Sequence, residues 1–442
     1  MASKWSVSPL DEVYDFSSGL SKPRSAFGSG FPFLSFKDVF YNSAVPPKLV
    51  ELVESSEKER AKCSVQRGDV FLTRTSETMD ELGMSAVALR DIPNATFNGF
   101  TKRLRPRCQK RVAPEFARYY FRSPAFRQQV YSMSSLSTRA SLNNEMLAKL
   151  TIAYPSYKEQ EAIGLALGAL DDRIDLLRQT NATLEAIAQS LFKSWFVDFN
   201  PVRAKAEGRK PEGMDSATAA LFPDEFEESE LGLIPKGWQV DEIGKVVPCV
   251  GGATPSTKES RYWDKPVHHW VTPKDLSGLQ SPVLIETDRK VSEEGLAKIS
   301  SGLLPMGTLL LSSRAPIGYL AVTQIPTAIN QGFIAMLPGG QLPASYLLFW
   351  TKVNMDAIKQ KANGSTFMEI SKSAFRPMKL VVPSAQVVDA FNSICNPLLD
   401  RIALNERSRR QLEEIRDSLL PRLISGKLRL PEAEKAGEEA LA

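Results

Sequence analysis

His268 and His269 are the only histidines in the 442 residues, and they are adjacent. Neighbouring side chains cannot present the i, i+4 face that a helical zinc site needs. A pair satisfied by its surroundings, or simply exposed, is the ordinary reading. The cysteines Cys63, Cys108, Cys249 and Cys395 are scattered without C-x-x-C spacing, which reads as free thiols in a cytoplasmic chain. No G-x-S-x-G elbow presents a serine nucleophile, and the only histidines that could activate a cysteine are that adjacent pair. Gly426-Lys427 is followed by Leu428 and lacks the upstream glycine of a phosphate-cradling G-x-x-x-x-G-K-[ST] loop. The residue types that perform covalent, acid–base or metal chemistry are therefore not assembled, and the chain is expected to have no catalytic residue and no metal site. A binding or scaffolding role follows.

Asn200-Pro201-Val202 begins like the Asn-Pro-Pro-aromatic loop that grips a flipped adenine in amino-methyltransferases, but the second proline and the aromatic are absent. No glycine-rich cofactor loop follows a strand, so Pro201 is read as the terminator of a helix. The remaining chemistry is that of charge. Residues 1–156 carry 22 basic against 15 acidic side chains, a net +7, and residues 238–384 carry +4, whereas 157–237 and 385–442 carry −6 and −1. Two basic globular blocks suit a polyanion held at two points, although excesses this small also occur on unremarkable surfaces.

The elements that would position these blocks are written twice. LDDRIDLLRQ (170–179) recurs as LLDRIALNER (398–407), so that Asp172-Arg173-Ile174 returns as Asp400-Arg401-Ile402, 228 residues later. Leu184-Glu185, Ile187 and Ser190-Leu191 recur as Leu412-Glu413, Ile415 and Ser418-Leu419, and Pro155-Ser156 as Pro383-Ser384. Near the starts, WSV (5–7) matches WQV (238–240), FLSFKDV (33–39) resembles HWVTPKDL (269–276), and GDVFLTR (68–74) resembles GTLLLSSR (307–314). The helical segments are shared and the globular segments are individual. Ser156 and Glu159 form a capping box, after which Ile163, Leu167, Leu170, Ile174, Leu177, Asn181, Leu184, Ala188, Leu191 and Trp195 step by four and three. This heptad seam spans ~50 Å at ~1.5 Å per residue. The second copy runs through Phe391, Leu398, Ile402, Leu412, Ile415 and Leu419, with a bend expected at Pro421 and a cap at Gly426. A seam this long needs a partner helix, which the other half supplies in antiparallel orientation; the alternative is that each helix folds onto its own block. Within the blocks, VFLTR, SAVAL, GTLLLS and GYLAV read as strands. APEFARYYFRSPAFRQQVYSM and PASYLLFWTKVNMDAIKQKA read as helices. No apolar run approaches the ~20 residues of a membrane span, and the first residues lack the apolar core of a signal peptide.

The organisation expected is a block at 1–156, a long helix at 157–199, a connector at 200–237 with at most a short helix near Asp215–Leu221, a second block at 238–384, a second long helix at 385–428 and a tail at 429–442. The stretches SLFKSWFVDFNPVRAKAEGRKPEG (190–213), ALFPDEFEESELGLIPKGW (220–238), YPSYKEQEAIGLALGALDDRIDLL (154–177) and ISGKL (424–428) carry a resemblance. Over nearly its whole length the chain resembles the specificity subunits of type I restriction–modification systems. The resemblance implies an α+β fold: two globular mixed α/β target-recognition domains separated by two long antiparallel coiled-coil helices, in a pseudo-two-fold tandem repeat. Each domain would read one half of a split sequence in double-stranded DNA. The helices would set the spacer and dock two modification (methyltransferase) subunits, which carry S-adenosylmethionine and methylate adenine. Restriction subunits would join through them and supply ATP- and Mg-dependent translocation and cleavage. This chain itself would bind no cofactor and no membrane. A rival reading is a stand-alone scaffold carrying two protein- or glycan-binding modules on a coiled coil; a third is a self-sufficient methyltransferase or nuclease.

Residues that read DNA are expected to be Arg and Lys for guanine or phosphate, and Asn and Gln for adenine, on loops. In the first block the candidates are Lys22 and Arg24 in a flexible basic loop, Lys37, Arg74 and Arg139, with Lys102, Arg103 and Arg105 from the dense basic run KRLRPRCQKR (102–111). In the second they are Thr254, Ser256, Lys258, Lys274, Arg314, Ser365 and Thr366. Each is equally read as a solvated surface side chain, and the basic run equally as a solubilising strand end. Phe192, Trp195, Phe196 and Phe199 cluster at the end of the first long helix, either as core packing or as an anchor for a methyltransferase subunit.

Overall fold

A computed structural model describes residues 5–75, 81–108, 110–134, 141–364 and 368–430. It divides into two compact units, one formed by Met1–Ile174 with Gln411–Ala442, the other by Asp175–Arg410. The division cuts both long helices, Tyr157–Phe196 and Ala385–Ile424, each of 40 residues. At ~1.5 Å per residue each is ~60 Å long.

In the first unit, strand Ser6–Pro9 pairs antiparallel with Thr151–Tyr154, joining the two ends of the block. Between them lies a four-stranded sheet in the order Tyr14–Ser18, Thr101–Pro106, Val70–Thr73, Ser85–Val87. A three-stranded sheet of Leu52–Val53, Phe27–Leu34 and Thr96–Phe97 accompanies it. Phe116, Phe121 and Phe126 bury themselves against Tyr14, Leu72 and Leu104. The run expected as one helix is two, Pro114–Tyr120 and Pro124–Ser134. Pro124 has no N–H to continue the ladder and disfavours helical geometry at Ser123.

The second unit repeats the plan with altered detail. Gln239–Glu242 pairs with Lys379–Val382, and the main sheet gains a strand: Cys249–Val250, Phe333–Met336, Leu309–Ser312, Leu320–Thr323, Val283–Leu284. Its companion sheet is Arg289–Val291, His268–Val271, Ala328–Ile329. The connector is more ordered than expected. It holds helices Asn200–Ala206 and Ser216–Ala220, the latter capped by Asp215, and a hairpin of Phe226–Ser229 with Gly232–Pro235. Pro201 opens a helix instead of ending one. The long helix stops at Phe196, Phe199 takes φ 53°, and Pro201 sits in the first turn of the next helix, where its missing N–H costs nothing.

The seam faces inward in part: Leu170, Leu184 and Leu191, and on the second helix Leu398, Leu412, Ile415 and Leu419, are half-buried. Ile163, Leu167, Ile174, Leu177, Asn181, Ala188 and Trp195 are buried, as are Phe391, Leu399, Ile402 and Ala403 on the second long helix. In the first unit Ile163 and Leu167 share a core with Leu423 and Ile424, and Arg416 lies 2.9 Å from Asp171. In the second, Asn405 donates to Asn181 at 2.9 Å, and Phe391 packs on Phe192 and Phe196. Within each unit, numbers that rise on one helix segment meet numbers that fall on the other, so the segments pair antiparallel there. Both sequence readings therefore hold in part: helix ends enter the core of a block, and the remaining turns face the other helix. The second helix continues through Pro421 to Ile424; Gly426 then takes φ 70° and the Leu428 N–H returns to the Arg422 carbonyl.

Gly164 lets the first helix approach the block. A Cβ there would lie 2.5 Å from Glu115 Cβ and 2.6 Å from the Glu115 carbonyl carbon, whereas one at Gly168 would meet only the Tyr119 hydroxyl at 4.0 Å. Gly164→Ala is expected to destabilise by about 1–3 kcal/mol through overpacking. Gly168→Ala should stabilise by up to about 1 kcal/mol through helix propensity. Urea unfolding of the two variants checks the opposed signs.

Candidate nucleic-acid interface

Four backbone segments converge in each unit, and the same hydrogen bonds join them. In the first, Leu20 N–H donates to the Phe97 carbonyl (2.8 Å), Arg74 N–H to Phe100 (2.8 Å) and Leu142 N–H to Arg74 (2.9 Å). In the second, Ala253 N–H donates to Ile329 (3.0 Å), Ser313 N–H to Gly332 (2.8 Å) and Ile370 N–H to Ser313 (3.0 Å). Glycine is required at both crossings. A Cβ at Gly19 would lie 2.2 Å from the Phe97 carbonyl oxygen, and one at Gly252 1.9 Å from that of Ile329. The junction gathers the ends of several strands into one loop cluster, the usual place for recognition on a rigid scaffold.

The junction also corrects the alignment of the halves. Arg74 corresponds to Ser313, not to Arg314, because the matched segments share their opening Gly68 and Gly307 while the second carries one more residue before its arginine. Arg314 takes the place of Thr75: Thr75 bridges to Ser141, and Arg314 to Glu369, whose carboxylate lies 3.6 Å from its guanidinium. The SFKD and TPKD repeat has a local cause. Ser35 with Asp38, and Thr272 with Asp275, are capping boxes of short helices, each satisfying otherwise unpaired N–H groups. Lys37 and Lys274 ride on those helices as exposed side chains, Lys274 3.6 Å from Asp288.

The remaining candidates divide by burial. Arg24 and Lys258 are exposed and Arg74 is half-buried. Lys22 is tied to Glu59 at 2.7 Å, and its hydrogen bond holds that carboxyl down at about 2. Lys102, Arg103 and Arg105 must be corrected, because Thr101–Pro106 lies inside the sheet between Tyr14–Ser18 and Val70–Thr73. Lys102 is 7% exposed and donates to Ser18 Oγ (3.0 Å) and Asn144 Oδ1 (2.8 Å). Arg103, also 7% exposed, donates to the Ser64 carbonyl (2.7 Å). Burial lowers the pKa of both. Arg105 grips the buried Asp69 through two hydrogen bonds (2.8 and 2.6 Å). From the same run, Arg111 donates to Ser8 Oγ (2.8 Å) and the Tyr154 hydroxyl (2.9 Å), bracing the strands that join the block's ends. In the densest basic run Lys102 and Arg103 are thus buried and Arg105 and Arg111 are half-buried braces, while Arg107 and Lys110 remain exposed. Arg139, Ser365 and Thr366 lie outside the described residues.

Thr254 donates to Gln331 Oε1 at 2.5 Å. The Ser256 carbonyl accepts from Trp263 Nε1 (3.1 Å) and that of Ala253 from Trp270 Nε1 (3.3 Å). Asn98, Phe100, Asn330 and Gln331 stand in this junction and were missed. The motif FNG (97–99) and its counterpart INQ (329–331) after a two-residue strand were the available signal. The aromatic cluster also needs correction as a partner surface. Phe192, Trp195 and Phe196 are at most 6% exposed, packed on Tyr346, Phe222 and Trp238, while the half-buried Phe199 rests on Phe226 and Trp238. His268 lies 2.8 Å from Glu293 and His269 is 3.0 Å from the Thr287 hydroxyl, with burial lowering the His269 pKa. Among the described residues no group of His, Cys, Asp and Glu could hold a metal ion, and no helix is long and apolar enough to cross a membrane.

The family model of the type I restriction modification DNA specificity domain matches residues 2–186 and 235–414. The chain is 35% identical over 193 residues to the type I restriction enzyme MjaIX specificity subunit of Methanocaldococcus jannaschii, a match that covers 43% of this chain and 44% of that protein. It is 27% identical over 326 residues to the HindI specificity subunit of Haemophilus influenzae, covering 64% and 70%. The chain therefore spans less than half of the first relative's length in that match. A crystal structure of a type I restriction-modification S subunit from M. genitalium superposes with a TM-score of 0.61 at 13% identity, over 95% of this chain and 96% of that one.

Arg103→Ala should cost about 1–3 kcal/mol by removing a buried, charge-assisted hydrogen bond to the Ser64 carbonyl, which Arg105 still holds at 3.0 Å. Phe196→Ala should cost about 3–5 kcal/mol, and Lys37→Ala should stay within about 0.5 kcal/mol. Denaturant titrations of the three variants check this order.

Proposed function

The chain belongs to the type I restriction–modification specificity family, and from that premise we propose that each of its units reads one half of a split sequence in double-stranded DNA. The paired helices set the spacer and dock two adenine-methyltransferase subunits. Those subunits carry S-adenosylmethionine, and restriction subunits recruited through them supply ATP- and Mg-dependent translocation and cleavage, in the cytoplasm. This chain contributes recognition without catalysis.

One observation carries the reading: the same four-segment junction is built twice from unlike side chains. A duplicated frame with individual contents suits two related but different half-sites. Net charges of +7 and +4 on the two blocks favour a polyanion and steer its approach. Base readout then falls to junction side chains, while the exposed Arg24, Lys37 and Lys258 are suited to phosphate.

Recognition by phosphate contacts makes binding fall steeply with salt, which a scaffold that binds neutral glycans would not show. The chain with its modification subunits is expected to select a split duplex motif with one spacer length. Inserting four residues at opposed points of both long helices lengthens each by ~6 Å. With DNA rising ~3.4 Å per base pair, the preferred spacer should grow by roughly one or two base pairs. Selection from duplexes of graded spacer length measures this, and an unchanged spacer would contradict the role given to the helices.

A further inference from the structure

We propose that Gln331 reads an adenine in the half-site of the second unit, with Thr254 as the residue that positions its amide. The inference rests on the family reading and names the base class that one junction residue takes.

Gln331 is exposed on a backbone that is fixed on both sides. Asn330 N–H donates to the Val271 carbonyl (3.1 Å), Gly332 N–H to Asn330 Oδ1 (2.8 Å), and the Gly332 carbonyl accepts from Ser313 N–H (2.8 Å). Gly252 closes against Ile329 from below, too tightly for any side chain. The amide itself is oriented, because Thr254 Oγ1 donates to Gln331 Oε1. Thr254 in turn belongs to a braced loop. The indole N–H groups of Trp270 and Trp263 hold the carbonyls of Ala253 and Ser256 on either side of it, and the Arg289 guanidinium stacks 3.9 Å from the Trp263 ring centre. A side chain presented this way has little orientational freedom left to lose on binding.

The chemistry selects the base. An amide oxygen has two lone pairs and its NH₂ two protons. With one lone pair held by Thr254, the group still offers an acceptor beside a donor. Adenine presents the complement in the major groove, an N6 donor beside the N7 acceptor, whereas guanine presents two acceptors there. The first unit lacks this reader. By the hydrogen bonds of the junction, Gly99 stands where Gln331 does and Ser21 where Thr254 does, and a Cβ on Gly99 would lie 2.5 Å from Ser21 Oγ. The two units therefore differ in this contact, as two unlike half-sites require.

The test is selection from a randomised duplex pool by the full chain bound to its modification subunits. Wild type should enrich a split motif with one invariant A·T pair that Gln331→Ala makes degenerate, the other positions and the spacer being retained. Affinity for the wild-type motif should fall roughly 5- to 150-fold, the range of one bidentate base contact. Thr254→Val should relax the same pair to a lesser degree, and Thr254→Ser should restore it. A Gln331→Ala motif identical to wild type overturns the proposal, as does uniform loss at every position. If wild type enriches no split motif, the family reading fails first and takes this inference with it.

Discussion

A forty-residue amphipathic helix cannot leave its apolar stripe in water, and no short globular surface is long enough to cover it. The fold meets this constraint by writing the helix twice and turning the copies against each other. What selects the alignment is polar. In the first unit Asp171, largely buried, receives Arg416 from the second helix together with Arg118 and the Tyr119 hydroxyl from the block. In the second unit Asn181 and Asn405 share a hydrogen bond within the apolar seam. Leucines tolerate many registers; a buried carboxylate or amide tolerates few, since a slip would strand it without partners. The helix pair is thus specified at points along its length and is not merely sticky.

From that frame follows the division of labour between residues. Positions that build the junction repeat in kind: glycines where backbones cross, capping boxes at the short helices, an asparagine after each two-residue strand. Several positions that project from it do not repeat, although the exposed Lys37 and Lys274 do. Gly99 takes the place of Gln331, Ser21 that of Thr254, and Thr75 that of Arg314. One scaffold can therefore carry two surfaces of different chemistry, because the hydrogen bonds common to both junctions are made by backbone, while side chains such as Trp263 and Trp270 add braces of their own.

Much of this was legible in the sequence, for identifiable reasons. The heptad seam showed itself because burial on one face of a helix imposes a period, and the 228-residue repeat because both copies meet the same demand. The short apolar strands were legible for the same reason. The site was less so. Charge density in residues 102–111 pointed outward, yet the strand carrying Lys102 and Arg103 lies within a sheet, where long side chains reach carbonyls and Asp69. Composition does not say on which side of a sheet a lysine ends. The aromatic cluster at Phe196 was open between core and surface, and only the packing of Trp238 and Tyr346 decides it. Asn98 and Gln331 escaped notice because their importance comes from which loops meet, a property of tertiary pairing and not of local pattern. Matching Arg74 to Arg314 was misled by two arginines one residue out of step.

The central claim is that a duplicated frame holds two unlike readers to one duplex while partner subunits modify it. The most direct measurement is methylation-sensitive sequencing of DNA from cells that carry the chain with its partners, compared with cells that lack the chain. The account predicts adenine methylation at a motif of two different defined halves with an unspecified spacer of constant length, lost when the chain is removed. A continuous motif, a variable spacer, or methylation indifferent to the chain would contradict it.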